Sequence, residues 1–318
     1  MGVYIQDEWK ITNQLTLNTG IRFDQMYQFV DANQFSPRVG LEYKPVPGTT
    51  IHAGYARYFT PPPQIIAGPT NLALFDNTPG GASNVQQPAS CPPPHPVSCN
   101  SPVLPERSHY FDVGVTQKVL PGLEVGADVY YKVARDLLDD GQFGQAYVLT
   151  GFNYDRAVNK GIELKAKYQV ANFRAYGNIA WAQQMATKVI SNQFLFDPDE
   201  LAYIANHYIY TDHAQTWTGS AGVSYLWNGT RFSTDMIYGS GLRSGFANTD
   251  HLPMYTQVNA GISHEFKWDT SMKPTTLRFD VINVFDEIHE IRDGSGIGVF
   301  APQFGPRRAY FVGLSQKF

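Results

Sequence analysis

Leu123-Glu124-Val125-Gly126-Ala127-Asp128-Val129-Tyr130-Tyr131-Lys132 decides the fold. Leu123, Val125, Ala127, Val129 and Tyr131 alternate with Glu124, Gly126, Asp128, Tyr130 and Lys132. Successive side chains of a strand point to opposite faces, so this stretch reads as a strand with one apolar and one polar face. The same period of two runs outward in both directions. Ile162, Leu164, Ala166 and Tyr168 alternate with Glu163, Lys165, Lys167 and Gln169, and Leu15, Leu17, Thr19, Ile21 and Phe23 alternate with Thr16, Asn18, Gly20, Arg22 and Asp24. Similar segments at about 3–11, 15–28, 37–45, 49–59, 108–119, 122–135, 157–169, 172–184, 214–227, 230–241, 254–267, 275–285 and 307–318 predict thirteen strands and no helix.

The links alternate as regularly as the side chains. Tight ones fall at Thr12-Asn13-Gln14, Pro45-Val46-Pro47-Gly48, Leu120-Pro121-Gly122, Val170-Ala171-Asn172, Asn228-Gly229 and 269–274. Asn-Gly is a favoured two-residue hairpin turn because both residues tolerate positive φ. Between them lie longer links at 29–36, 60–107, 136–156, 185–213, 242–253 and 286–306, most of them rich in Gly, Asn, Pro and Asp.

The composition removes several classes of protein. With 24 Lys+Arg against 28 Asp+Glu, the net charge of −4 lacks the electrostatic footprint of a nucleic-acid binder. Charged residues at 16% and aromatics at 14% reverse the signature of disorder. The longest apolar run is Leu201 to Ala205, far short of the ~20 residues of a membrane helix. Met1-Gly2-Val3-Tyr4 shows neither a basic n-region nor an apolar h-region, so the chain is expected to be either cytosolic or a piece of something longer.

A soluble sandwich has ordinary strands of about 5–6 residues, whereas a tilted membrane strand needs about 9–11. Strand length, alternation and the short-turn, long-loop pattern together predict an all-β fold, an antiparallel transmembrane β-barrel. Hydrocarbon offers backbone groups no partner, so the sheet must close. The apolar face then meets lipid. The polar face lines the lumen, where Arg22, Asp24, Arg38, Glu42, Lys44, Asp112, Lys118, Glu124, Asp128, Glu163 and Lys165 are expected. Trp9, Tyr27, Tyr58, Phe59, Tyr110, Phe111, Trp181, Tyr225, Trp227, Tyr238, Phe266, Trp268, Phe285 and Phe318 lie near strand ends, as expected of aromatic girdles.

Tyr4-Ile5-Gln6-Asp7-Glu8-Trp9-Lys10-Ile11-Thr12 with Leu15 to Asp24, and then Ser36-Pro37-Arg38-Val39-Gly40-Leu41, resembles mid-barrel strands of TonB-dependent outer-membrane receptors. Pro105-Glu106, Phe111-Asp112-Val113-Gly114, Gly122 to Tyr131, Asn159-Lys160-Gly161-Ile162-Glu163-Leu164 and Asn283-Val284-Phe285-Asp286 continue the likeness, which is nearest to the large-loop, Oar-like branch. The ending Arg308 to Phe318 is similar to the family's closing strand. The resemblance implies a bacterial outer-membrane location and a 22-strand barrel. Residues 1–318 are then expected to be its C-terminal portion, with the plug domain and the TonB-contacting segment absent. It further implies uptake of a scarce small-molecule, peptide or glycan ligand, energised through the TonB complex. The closing strand, with Tyr310, Leu314 and Phe318, is implied to be read by the barrel-assembly machinery. A passive porin or a structural or adhesive barrel is the alternative.

Little else in the sequence carries chemistry. Cys91 and Cys99, eight apart in an otherwise cysteine-free chain, suit a local disulfide in an oxidising compartment. His95 between them has no further metal ligand nearby, and the loop around them is expected to lie over the barrel mouth. His207, Asp212 and His213 share a long link, where histidines are more often bystanders than metal ligands. His289-Glu290 lacks a second histidine, Gly294 to Gly298 follows no strand-to-helix pattern, and no Gly-x-Ser-x-Gly elbow occurs. Neither an enzyme nor a cofactor is expected.

Overall fold

The computed structural model describes all residues except 29, 64–102, 143–148, 269–273, 299–300 and 317–318. Thirteen long strands follow one another: β1 Gly2–Lys10, β2 Leu15–Tyr27, β3 Asp31–Tyr43, β4 Thr49–Thr60, β5 Glu106–Leu120, β6 Leu123–Gln142, β7 Leu149–Val170, β8 Phe173–Val189, β9 Trp217–Trp227, β10 Thr230–Gly239, β11 Tyr255–Phe266, β12 Thr275–Ile282 and β13 Ala309–Gln316. Each pairs antiparallel with its neighbour in sequence, giving one continuous meander. The fold is the antiparallel membrane-barrel sheet that the alternation predicts, and its two edge strands, β1 and β13, each have one paired side.

Register sets the faces. Leu41, Ala53, Val113, Val129, Ile162, Trp181 and Trp217 are successive partners across β3 to β9. One residue further along each strand, Glu42, His52, Gly114, Asp128, Glu163 and Ala180 form the matching row on the other face. Val113, Val129 and Ile162 are 51%, 47% and 44% exposed. These apolar side chains touch their cross-strand partners and leave about half of their surface uncovered, as expected of a surface that meets lipid.

Among the described residues, the hydrophobic core lies at the end of the sheet that carries the long links. Ala134 and Leu137 of β6, Phe152, Tyr154 and Ala157 of β7, and Ala186 and Val189 of β8 pack there with Phe196, Ile204, Ile209, Ala247 and Ile297 from three connections. Phe152 meets Tyr154 and Phe196 edge-on, with ring centres 5.0 and 4.9 Å apart. Polar side chains seal the same region. Fully buried Asn153 donates through Nδ2 to the carbonyls of Leu104 (2.9 Å) and Asp136 (2.8 Å). Its Oδ1 accepts from the Leu104 N–H (2.8 Å) and the Ser191 hydroxyl (2.8 Å).

Three sequence expectations are corrected here. Residues 29–36 are not a long link: β3 begins at Asp31 and pairs with β2 up to Tyr27. The 136–156 link is mostly strand, since β6 runs 20 residues and β7 runs 22. Pairing continues past the membrane band, where water and packed loops cover both faces and the alternation no longer has to hold. One connection also contains a helix, α1 Pro198–Asn206, entered from Asp197 with proline in its first turn beside Asp199 and Glu200. Proline and acids suit a helix start, and that signal was present in the sequence.

Asn153→Ala would leave the Leu104 N–H and two carbonyls unpaired in the interior, at about 1–3 kcal/mol for each such group. The variant should unfold at a lower temperature and be cut sooner by protease in the 190–216 connection. An unchanged midpoint and cleavage rate would show that this network does not hold the end together.

Candidate functional site: a charged strip and a folded loop end

All nine principal charged candidates, Arg22, Asp24, Arg38, Glu42, Asp112, Glu124, Asp128, Glu163 and Lys165, fall by register on the face opposite the apolar rows. Several are joined into a strip. Arg22 pairs with Asp24 at 2.7 Å and Lys44 with Glu42 at 2.5 Å. His52 Nε2 lies 3.1 Å from Asp128 and 3.5 Å from Asp112, and Lys165 reaches Asp128 at 3.1 Å. Four adjacent strands, β4 to β7, thus contribute one link each.

Glycines make that chain possible. A Cβ on Gly114 would overlap both Asp128 Oδ1 and the His52 ring, and one on Gly126 would meet the Lys165 stem. A larger residue at either position would push the charged groups apart. Arg38, Glu124 and Glu163 form no ion pair among the described residues.

Tyrosines extend the strip. Tyr58, Tyr110 and Tyr130 stand on the polar face, with ring centres 6.1 and 6.2 Å apart in sequence. This corrects the girdle reading for Tyr58 and Tyr110. Adjacent strand residues face opposite ways, so Tyr58 and Phe59, or Tyr110 and Phe111, cannot both meet lipid. His52, Lys132 and Glu106 were missed in the sequence, although Lys132 and Glu106 pair at 2.6 Å. The even positions of the 49–59 strand carried the signal for His52.

At the loop end, Asp212 is 4% exposed, and its Oδ2 lies 2.7 Å from the Arg292 guanidinium and 3.1 Å from His213 Nδ1. Arg292 also lies 3.0 Å from the His213 ring. Burial pushes the nearby Asp139 carboxyl up to about 7, and the bond to Asp212 raises His213. Both groups therefore hold a proton more tightly in the fold than when unfolded, which favours the folded loop end on the acid side of neutrality. In the 283–308 connection, Arg307 and Arg308 hold the Asp286 carboxyl well below its usual range. His207 stacks on Tyr203 instead of joining this group, and no cluster of metal-ligand residues occurs among the described residues.

The chemistry of this arrangement is that of a wetted, two-signed surface. The His52 ring contacts two carboxylates, and no hydroxyl or thiol is bonded to it among the described residues. On the closing strand, Tyr310 and Leu314 sit opposite Val281 and Leu277 on the apolar face, 63% and 75% exposed. Cys91, Cys99 and Phe318 lie outside the described residues.

Solved structures with the same fold include the siderophore receptor PiuA from Acinetobacter baumannii, with a TM-score of 0.66 and 14% identity over 98% of this chain. The copper transporter OprC matches with a TM-score of 0.69 and 14% identity over the whole chain. The ferric citrate transporter FecA in its unliganded form matches with a TM-score of 0.67 and 16% identity, also over the whole chain. The chain spans 42%, 47% and 44% of their respective lengths. Among curated proteins, none matches the sequence. The family model described as TonB dependent receptor-like, beta-barrel matches residues 1–284, and with the sheet, register and faces above it establishes that the chain belongs to the TonB-dependent receptor family, as barrel wall of the bacterial outer membrane.

Proposed function

We propose that this chain is part of the wall of an outer-membrane receptor that takes up a scarce ligand, energised through TonB. The observation that carries the reading is the polar face: a strip of paired charges and tyrosines crosses β4 to β7 and ends beneath a folded loop end. Residues 1–318 are read as the C-terminal portion of a larger barrel domain, supported by a span of under half of the matched receptors. The long connections face outside and capture the ligand, a small molecule, peptide or glycan. The nine charged candidates line the lumen, a plug region outside this chain gates passage and contacts the TonB complex, and Cys91 and Cys99 form a disulfide in the loop over the mouth.

No ATP is available at an outer membrane, so concentrating a ligand across it requires energy from the inner membrane. Growth on limiting nutrients should therefore fall alike when the receptor or TonB is deleted. Uptake through the receptor that persists at full rate without TonB would identify a passive channel instead.

Face assignment has its own test in the full-length receptor. Val129→Arg puts a charge into hydrocarbon near midplane, at about 2–4 kcal/mol, whereas Glu124→Arg stays solvated. Val129→Arg should lower the heat-stable assembled fraction far more than Glu124→Arg, and equal damage would count against lipid on the apolar face. For the closing strand, we take Tyr310, Leu314 and Phe318 as the segment read by the assembly machinery. Deleting Phe318 should reduce the amount assembled in the outer membrane. Normal amounts with only reduced thermal stability would leave Phe318 a girdle residue.

A further inference from the structure

Above the apolar band, the lipid-side face changes character abruptly. Tyr55, Phe111 and Tyr131 are successive cross-strand partners in β4, β5 and β6. Four residues further along β5, about 14 Å at the usual strand rise, the row becomes Phe59, Arg107, Arg135, Arg156 and Thr187. Three arginines are thus direct neighbours in three adjacent strands. Arg57 lies on the same face between the two rows, opposite His109, and Lys160 extends the aromatic row into β7, opposite Tyr131.

Like charges directly opposite each other destabilise a strand pair. The chain's own carboxylates offset this only in part. Arg107 lies 3.5 Å from Asp136, and Arg156 lies 3.7 Å from Asp155. Arg135 and Lys160 are exposed and form no ion pair among the described residues. Arg57 has a buried Nε with no hydrogen-bond partner. Five cations therefore face two carboxylates in a chain whose net charge is −4. Arg107 also lies over the Phe59 ring, 5.6 Å from its centre, which helps hold its guanidinium in place.

We propose that Arg107, Arg135 and Arg156, flanked by Arg57 and Lys160, form a site for the phosphate groups of a lipid headgroup in the outer leaflet. The proposal rests on the orientation given above, with the long connections outside. Height selects the occupant: the row lies four residues beyond an aromatic row, and aromatic rows mark the headgroup level at which the surrounding lipid carries its phosphates. Chemistry selects the phosphate, because guanidinium forks bind its oxygens in pairs and long stems let the heads reach along the surface. A phosphate-bearing lipid would satisfy the row and fix the receptor's depth in the membrane.

The full-length receptor in detergent, titrated with bisphosphorylated lipid A and followed by native mass spectrometry, tests the site. Bound lipid A is expected, with far weaker binding of the dephosphorylated lipid and no competition from inorganic phosphate at equal concentration. The triple variant R107Q/R135Q/R156Q should need at least roughly tenfold more lipid A, the change expected when charge-assisted contacts are lost. If the triple variant does not assemble, R135Q alone, at an exposed position without an ion pair, serves the same measurement. Equal binding of phosphorylated and dephosphorylated lipid, or variants that bind like wild type, would overturn the site. Competition by inorganic phosphate would point to a free-anion site and would also overturn it. Orientation is read separately by labelling Ser295→Cys, in a background carrying Cys91→Ser and Cys99→Ser, with a membrane-impermeant maleimide on intact cells. Labelling without phosphate dependence rejects only the lipid site, whereas labelling that requires a breached outer membrane rejects the orientation and the site together.

Discussion

The rest of the structure depends on one requirement: inside hydrocarbon, each backbone N–H and C=O must find its partner within the sheet. The antiparallel meander meets this strand by strand, and no described strand of the wall is skipped or crossed. Once the ladder is fixed, the side chains have no freedom of placement. A register slip of one residue would exchange the two faces along an entire strand. Alternation in the sequence is therefore a record of the ladder, not an independent feature.

That is why the membrane band was so legible. Thirteen strands and a common face for Arg22, Asp24, Arg38, Glu42, Asp112, Glu124, Asp128, Glu163 and Lys165 follow from period and turn chemistry, whereas the expected long links at 29–36 and 136–156 do not hold as such. Legibility ended where lipid ends. Beyond Arg135 and Arg156, β6 and β7 continue as strands but bury Leu137, Phe152 and Tyr154 under loops, so residues of either parity can be inside. A pattern argument built on one wet face and one oily face has nothing to read there. Helix α1 escaped for a related reason: its nine residues are short for a periodicity argument, and its signal lay in Asp197, Pro198, Asp199 and Glu200 at its start.

The charged strip was half legible. Parity shows which residues share a face, but it does not show which of them touch. His52 meets Asp128 because Gly114 leaves the space between their strands open, and Lys165 lies over Gly126 in the same way. The sequence shows glycines in strands, where they usually weaken pairing. Only the cross-strand register reveals that each stands opposite a large polar side chain. Size complementarity across the ladder, not charge count, sets the shape of this surface.

The same ladder constrains how the loop end can behave. β6 and β7 run from the tight turns through the strip into the packed end, so the strip and the cap share these two strands. Tilting the cap as a body would require slipping these registers, and slippage would place Glu163 and Lys165 in lipid. Motion at this end must then come from segments outside the long ladders, such as the 240–254 and 283–308 connections, which meet the wall only at isolated backbone bonds, Ser240 N–H to the Trp217 carbonyl, Val284 N–H to the Val258 carbonyl and Gln142 N–H to the Gly298 carbonyl among the described residues. Beside the buried Ala247 and Ile297 and the Arg292–Asp212 pair, asparagines pin these connections: Asn248 donates to the Tyr210 carbonyl and accepts the Ile297 N–H, and Asn283 donates to the carbonyls of Glu287 and Pro306. Buried asparagines of this kind hold a connection through hydrogen bonds that are directional and can be exchanged for water, whereas the wall is held by bonds that hydrocarbon gives no means to exchange. The boundary between fixed and movable parts of the protein is therefore set by the solvent around the backbone, and it falls where the paired strands end.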